Sequence, residues 1–246
     1  MILVPHTVTT KQKLNMRTKI LLFAAAAMAA GIVSSNAQVY SANVVGYANV
    51  VVAGNGAFTL MANPFDDGNG NYATNLLNNA LPKKSALLVW TGGGFSSVLK
   101  GGTPASFPAG TTNQLPPGMG FFVQNGSVGS GAPVLTNTFV GSVVVNVNAS
   151  VTNAEPVGFS LQGSPIPYAG NLAIINTGNG DANINFGGPL TKKSEILTWN
   201  GAGFSSALKG GSPALFNATA NVGVGIGFFV HNVSGPVTNV VETLTP

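Results

Sequence analysis

The chain has 246 residues, of which 45% are hydrophobic, only 7% are charged and none is cysteine. The missing thiols exclude disulfides, thiolate catalysis and a lipid-bearing cysteine, so core and sheet alone must hold the fold together. A formal charge of +4 suggests a basic protein, but the cations are unevenly placed.

Lys11, Lys13, Arg17 and Lys19 precede an apolar run from Ile20 to Val33, and SSNAQ follows, with small Ser35 and Ala37 where a signal peptidase reads. Charged region, apolar region and small-x-small site together spell a helical secretory signal peptide over residues 1–37. MRTKILLFAAAAMAA is an ordinary signal by itself, which makes Met16 an alternative start. The run falls short of the roughly 20 apolar residues of a comfortable span, so membrane contact is expected only through this segment before cleavage. Cleavage after Ala37 leaves six lysines (83, 84, 100, 192, 193, 209) against six carboxylates (66, 67, 155, 181, 195, 242), and no arginine. That balance excludes the basic stripe that nucleic acid requires. A neutral, charge-poor surface favours association over repulsion. The C-terminal VTNVVETLTP carries no hydrophobic tail.

The rest of the chain has short apolar runs set among Gly, Asn, Ser and Thr. Ser41–Ala53 and Val134–Asn148 are β-branched and partly alternating, as strands are. Between them, ALLVW (86–90) and GFFV (120–123) are further strand candidates. TNLLNNAL (74–81), stopped by Pro82, is the helical candidate. Then the chain repeats itself. Leu81–Phe107 returns as Leu190–Phe216 with 18 of 27 positions identical; FTLMANPF (58–65) echoes FSLQGSPI (159–166), and GMGFFVQN (118–125) echoes GIGFFVHN (225–232). A period near 100 residues fits two copies of one small domain rather than a solenoid. The expected organisation is therefore all-β: two tandem copies of a small β-sandwich or barrel-like module, over 38–148 and 149–246. LLVW-TGGG-FSSVL and ILTW-NGAG-FSSAL predict the same hairpin made twice, because Gly and Asn supply the positive φ of tight turns. Val143 to Pro165 bridges the copies, as a linker or as strands exchanged between them.

SSNAQVYSANVVGYANV at the mature start, GFSL ahead of a proline, the W-x-G-x-GF hairpin and PGMGFFVQN together resemble a large paralogous group of uncharacterised exported proteins of verrucomicrobial bacteria. Their second halves open on a GFS…P-x-AG segment, matched by Gly158–Ser160 and Pro167–Gly170. The likeness covers nearly the whole mature chain. A looser likeness is to bacterial surface modules that share a GNP…W-x-G…GFFV order. The resemblance implies export and a β-rich fold, and supplies no catalytic residues.

Several motifs carry candidate chemistry. Ser97-x-x-Lys100 and Ser206-x-x-Lys209 match the S-x-x-K nucleophile motif, which needs a helix start. On a strand, positions i and i+3 point to opposite faces, so no catalytic residue is assigned. DDGNGN (66–71) has the oxygen content of a calcium loop. Counted from Asp67, however, it places Tyr72 where an EF-hand needs Gly and Asn78 where it needs Glu, so no metal and no cofactor are expected. His231 is the one histidine after cleavage and faces Gln124 in the repeat; alone it builds neither a zinc site nor a triad. The residues kept by duplication are Trp90/Trp199, Phe95/Phe204 and all six lysines. The aromatics are expected to fill the core of their own copy, and the lysines to keep strand ends soluble. Alternatively, Trp90, Trp199, Lys100 and Lys209 form a ligand site for a sugar polymer. The leading expectation is a non-enzymatic structural or interaction protein of the periplasm, cell surface or exterior, partnered by another exported protein or a cell-surface polysaccharide. The alternative is a carbohydrate-binding module.

Overall fold

The computed structural model describes residues 45–77, 80–103, 105–108, 113–144, 150–173, 190–211 and 215–243, without the side chains of 150–154 and 238–243. Residues 1–37, where a signal peptide is expected, lie outside them. The described residues all belong to one compact unit.

The fold is all-β, and it is two copies of one module. In the first, β1 (Val45–Val52) leads into β2 (Phe58–Ala62), a one-turn helix α1 (Ala73–Leu76), the hairpin β3 (Ala86–Trp90) and β4 (Phe95–Leu99), then β5 (Gly120–Gln124) and β6 (Leu135–Ser142). The second runs β7 (Ser150–Glu155), β8 (Gly158–Gln162), β9 (Gly170–Asn171), β10 (Glu195–Trp199), β11 (Phe204–Gly210), β12 (Leu215–Phe216), β13 (Asn221–Val222), β14 (Phe228–Asn232) and β15 (Val237–Thr243). Sheet order β2-β5-β3-β4 matches β8-β14-β10-β11, to which the second copy adds the short strand β12, and the ribbons β1–β6 and β7–β15 stand at corresponding places in the two copies' strand order. All of these pairings are antiparallel. In the described part of the bridging segment, β7 pairs with β15 and β8 with β14, inside their own copy and not exchanged; residues 145–149 lie outside the described residues. The helical expectation shrinks to four residues, because Leu77 is already extended at φ −100°, ψ 139°.

The repeated hairpins turn where the glycines allow. Thr91 N–H donates to Gly94 C=O at 2.9 Å and Asn200 N–H to Gly203 C=O at 3.0 Å, with Gly92 and Gly201 at φ 93° and 97°. Ser97 and Ser206 lie on strands, so the S-x-x-K residues never share a helical face.

Alternation along each sheet sends neighbouring side chains to opposite faces. In GFFV, fully buried Phe121 and Val123 join Met61, Leu87, Phe139 and Val50 beneath the β1–β6 ribbon, while Phe122 points the other way. Phe228 and Val230 fill the second core with Ile196 and Leu190, and Phe229 again points away. The outward-pointing set forms a third core, in which Leu60, Phe122 and Trp90 of one copy meet Leu161, Phe229 and Trp199 of the other.

The sheets also join through their backbones about a pseudo-twofold axis. Gly163 N–H donates to Gly118 C=O and, in the equivalent place, Ala62 N–H donates to Gly225 C=O, both at 2.9 Å. The axis passes between the equivalent residues Ala62 and Gly163, and a Cβ on Gly163 would run into the Cβ of Ala62. One further equivalent pair is equally constrained: a Cβ on Gly120 would lie 2.7 Å from Gln162 backbone atoms, and one on Gly227 2.7 Å from Met61 O. Gly163→Ala is expected to destabilise the chain by about 1–3 kcal/mol, the usual cost of overpacking. The double variant Ala62→Gly/Gly163→Ala should recover most of that loss by moving the methyl across the axis. Denaturant unfolding of the three variants measures both effects.

Candidate functional site

The seam between the copies is built from four equivalent pairs: Phe58/Phe159, Trp90/Trp199, Phe95/Phe204 and Phe122/Phe229. Each tryptophan ends the first strand of a hairpin, and its ring packs on the phenylalanine across its own turn, Trp90 on Phe95 at 5.1 Å and Trp199 on Phe204 at 5.0 Å. Each then reaches into the other copy. Trp90 lies edge-to-face on Phe229 at 5.3 Å and Trp199 on Phe122 at 5.4 Å. Trp90 Nε1–H donates to Phe159 C=O at 2.9 Å, and Trp199 Nε1–H to Phe58 C=O at 3.2 Å. Edge-to-face pairs add about 0.5–1.5 kcal/mol each beyond area burial, so the network contributes substantially to holding the copies together. This corrects the expectation that both tryptophans fill their own copy's core. They are half-buried and packed across the seam, whereas Phe121 and Phe228 do sit in their own cores, both at 0% exposure.

The rings leave two open clefts, related by the same axis. One, about 240 Å³, is lined by Phe58, Leu88, Phe95, Phe122, Trp199 and Phe204. The other, about 280 Å³, is lined by the equivalents of those residues, with Trp90 in place of Trp199. Phe95 and Phe204 border both clefts and are each 43% exposed. The two clefts differ at their rims. Beyond Phe159, the second copy carries His231, stacked on that ring at 4.1 Å, and Glu195, whose Oε1 is 3.9 Å from His231 Nδ1. Ser206 Oγ–H donates to Glu195 Oε2 at 2.9 Å. The corresponding residues of the first copy are Gln124, Ala86 and Ser97. The second copy's rim thus carries a carboxylate and an imidazole, where the first copy's keeps only the neutral polar groups of Gln124 and Ser97. The Ser206 hydroxyl donates to a carboxylate rather than to the imidazole, which is not the arrangement of a serine nucleophile and its base.

Lys100 and Lys209 are not surface groups. They are 4% and 5% exposed, and Lys209 Nζ donates to Leu190 C=O beside the Phe216 ring. Desolvation lowers both lysine pKa values. These two lysines therefore neither protect a strand end nor reach a ligand at the clefts. Their backbones close the hairpins against strained neighbours: Lys84 and Lys193 sit at φ 68° and 71° and donate N–H to Lys100 and Lys209 C=O.

The acidic loop is occupied by its own amides. Asp67 Oδ1 accepts from Asn69 N–H and Asn71 N–H, both at 2.8 Å, and Asp66 Oδ1 accepts from Gly68 N–H and Asn71 Nδ2, both at 3.0 Å. These carboxylates organise an Asx turn. No group of three or more His, Asp or Glu side chains among the described residues could hold a metal ion.

Glu155, which the sequence leaves in a bridge, is fully buried at the end of β7. Burial raises its pKa above the ordinary 4.5, opposed by hydrogen bonds from Gln162 Nε2 at 2.8 Å and Ser160 Oγ at 3.0 Å. Its neutral partners leave the charged form uncompensated.

Trp90→Ala should cost about 3–5 kcal/mol by removing a large packed side chain. Trp90→Phe should cost about 0.5–1.5 kcal/mol, the net worth of one hydrogen bond, and leave Phe159 C=O without its donor. Thermal unfolding of the two variants separates ring from hydrogen bond. A raised folded pKa means that the native state of Glu155 holds its proton more tightly than the unfolded chain does. Its stabilisation is full below about pH 4.5 and is lost as pH rises through the folded value. Glu155→Gln should accordingly stabilise the chain at neutral pH and change little below pH 4.5, as read from unfolding free energies across pH.

No protein-family model, curated protein or solved structure matches the chain, so the reading of this site rests on its own geometry.

Proposed function

We propose that the chain is an exported, non-enzymatic structural or interaction protein of the periplasm or cell surface. Export is supported by the charged, apolar and small-x-small segments of residues 1–37, and by the likeness of the mature motifs to exported verrucomicrobial proteins. The observation that carries the rest is the fate of the duplicated residues. The repeated aromatics pack copy against copy, and the S-x-x-K lysines are spent inside the hairpins. What the seam offers the outside is apolar ring surface, suited to contact rather than to proton transfer.

A carbohydrate-binding reading stands second, favoured by one observation. The cleft beside Trp90 joins exposed rings to a rim carrying Glu195, Ser206 and His231, a mixture that suits a sugar's apolar face and hydroxyl edge. In this reading Phe95, Phe159 and Phe204 stand beside Trp90 and Trp199 at the clefts, and Lys100 and Lys209 drop out.

The test uses the mature chain. Cell fractionation is expected to place a processed form in the envelope or medium, and unprocessed protein in the cytosol would refute export. Ester, peptide and glycoside substrates should not be turned over. Soluble and insoluble polysaccharides should give no saturable binding. Saturable binding that disappears in a Phe95→Ala/Phe204→Ala variant with unchanged circular dichroism would put the carbohydrate reading first. These exposed rings are better probes than the tryptophans, whose loss opens the seam itself.

A further inference from the structure

Strand β4 is the last strand of the first copy's sheet, and among the described residues no further strand pairs with its outer edge. Lys100 N–H donates to Ser85 C=O at 2.8 Å and Thr91 N–H to Gly94 C=O at 2.9 Å, which fixes the alternation of the β3–β4 ladder. Ser96 and Val98 therefore bond inward to β3. The N–H and C=O groups of Phe95, Ser97 and Leu99 point away from the sheet. The same count in the second copy puts Phe204, Ser206 and Leu208 outward, and two bonds confirm it: Leu208 N–H donates to Asn217 Oδ1 at 2.9 Å and Asn217 N–H to Leu208 C=O at 3.0 Å.

Asn217 thus closes the end of the β11 edge. The matching residue of the first copy is Pro108, which has neither an N–H to donate nor a side-chain acceptor. Open edges are ordinarily guarded by lysine, proline or a bulge. FSSVL has none of these, its register with β3 is unbroken, and the lysine that follows it is buried. Phe95 and Leu99, on one face of this edge, are 43% and 58% exposed.

We propose that β4 is a self-association edge, occupied by β4 of a second copy of this chain in antiparallel register about Ser97. The five residues are self-complementary in that register. Phe95 falls opposite the second copy's Leu99, Ser97 opposite Ser97 and Ser96 opposite Val98, so an apolar pair repeats on either side of the axis. Every outward N–H and C=O of Phe95, Ser97 and Leu99 meets its complement. No charge on the strand opposes the approach, and the equal lysine and carboxylate counts of Gln38–Pro246 add no long-range repulsion. The pairing is isologous and so closes at the dimer, joining two four-stranded sheets into one. Phe95 also borders both clefts, so the variants that test the pairing alter the backbone edge at Ser97 and leave that ring in place.

Sedimentation velocity of residues 38–246 over a dilution series should show reversible doubling of mass. Ser97→Pro removes an outward N–H without touching the bonds to β3, and should leave a monomer with unchanged circular dichroism. Ser206→Pro, on the edge that Asn217 partly closes, should leave the dimer intact. The chain has no cysteine, so the oxidised Ser97→Cys variant should form a covalent dimer, whereas the Val157→Cys variant, also at an exposed position, should not. The cross-link keeps the test valid if the proline variant fails to fold. A wild-type monomer throughout the series, a dimer that survives Ser97→Pro, or cross-linking of the Val157→Cys variant in place of the Ser97→Cys variant would each overturn the proposal.

Discussion

The structure depends on a reciprocal contact: each repeat tryptophan gives its indole N–H to a main-chain carbonyl in the other repeat. The partner carbonyls belong to Phe58 and Phe159, on the outermost strands of the two sheets. Neither half could bury its outward sheet face alone. With the other half in place, both faces become interior, and the sheet edges near the axis gain the Gly118 and Gly225 carbonyls as acceptors. A module of this size, without disulfides, gains much of its buried apolar area this way.

The same arrangement explains why the repeat preserves what it preserves. A tryptophan before each turn, a phenylalanine after it and a phenylalanine doublet in GFF all serve a face shared by both halves. Preservation there reports packing. The polar residues that differ, Glu195 and His231 against Ala86 and Gln124, stand beyond Phe159, outside the shared ring cluster. Chemistry that serves a partner is free to diverge there because it leaves the shared face alone.

Much of this architecture was legible in the order of residues. Periodicity and the Gly/Asn turns placed β1, β3, β5 and both hairpins, because local backbone preference and tertiary need agree there. The destination of the tryptophans was not legible, since an apolar run before a turn looks the same whether it faces a core or a second sheet. A signal did exist in GFFV: two adjacent phenylalanines on a strand must face opposite ways, so one of them needed a second apolar partner. The buried lysines misled for a different reason. Lys100 and Lys209 follow exposed Leu99 and Leu208, but strand alternation sets them on the core face two residues beyond Val98 and Ala207. Glu155 was equally hidden, because its partners Ser160 and Gln162 lie on the following strand.

Ala62 and Gly163 occupy equivalent places on the axis, and only one of them carries a methyl group. An assembly of two separate, identical polypeptides has no such option, since any residue on its symmetry axis is confronted with itself. Covalent fusion lifts that restriction. Once the halves are encoded in tandem, each can mutate alone, and one side can be trimmed to make room for the other. The alanine–glycine contact is therefore a packing solution open only to the joined chain. Splitting the polypeptide into two identical subunits would have to give it up.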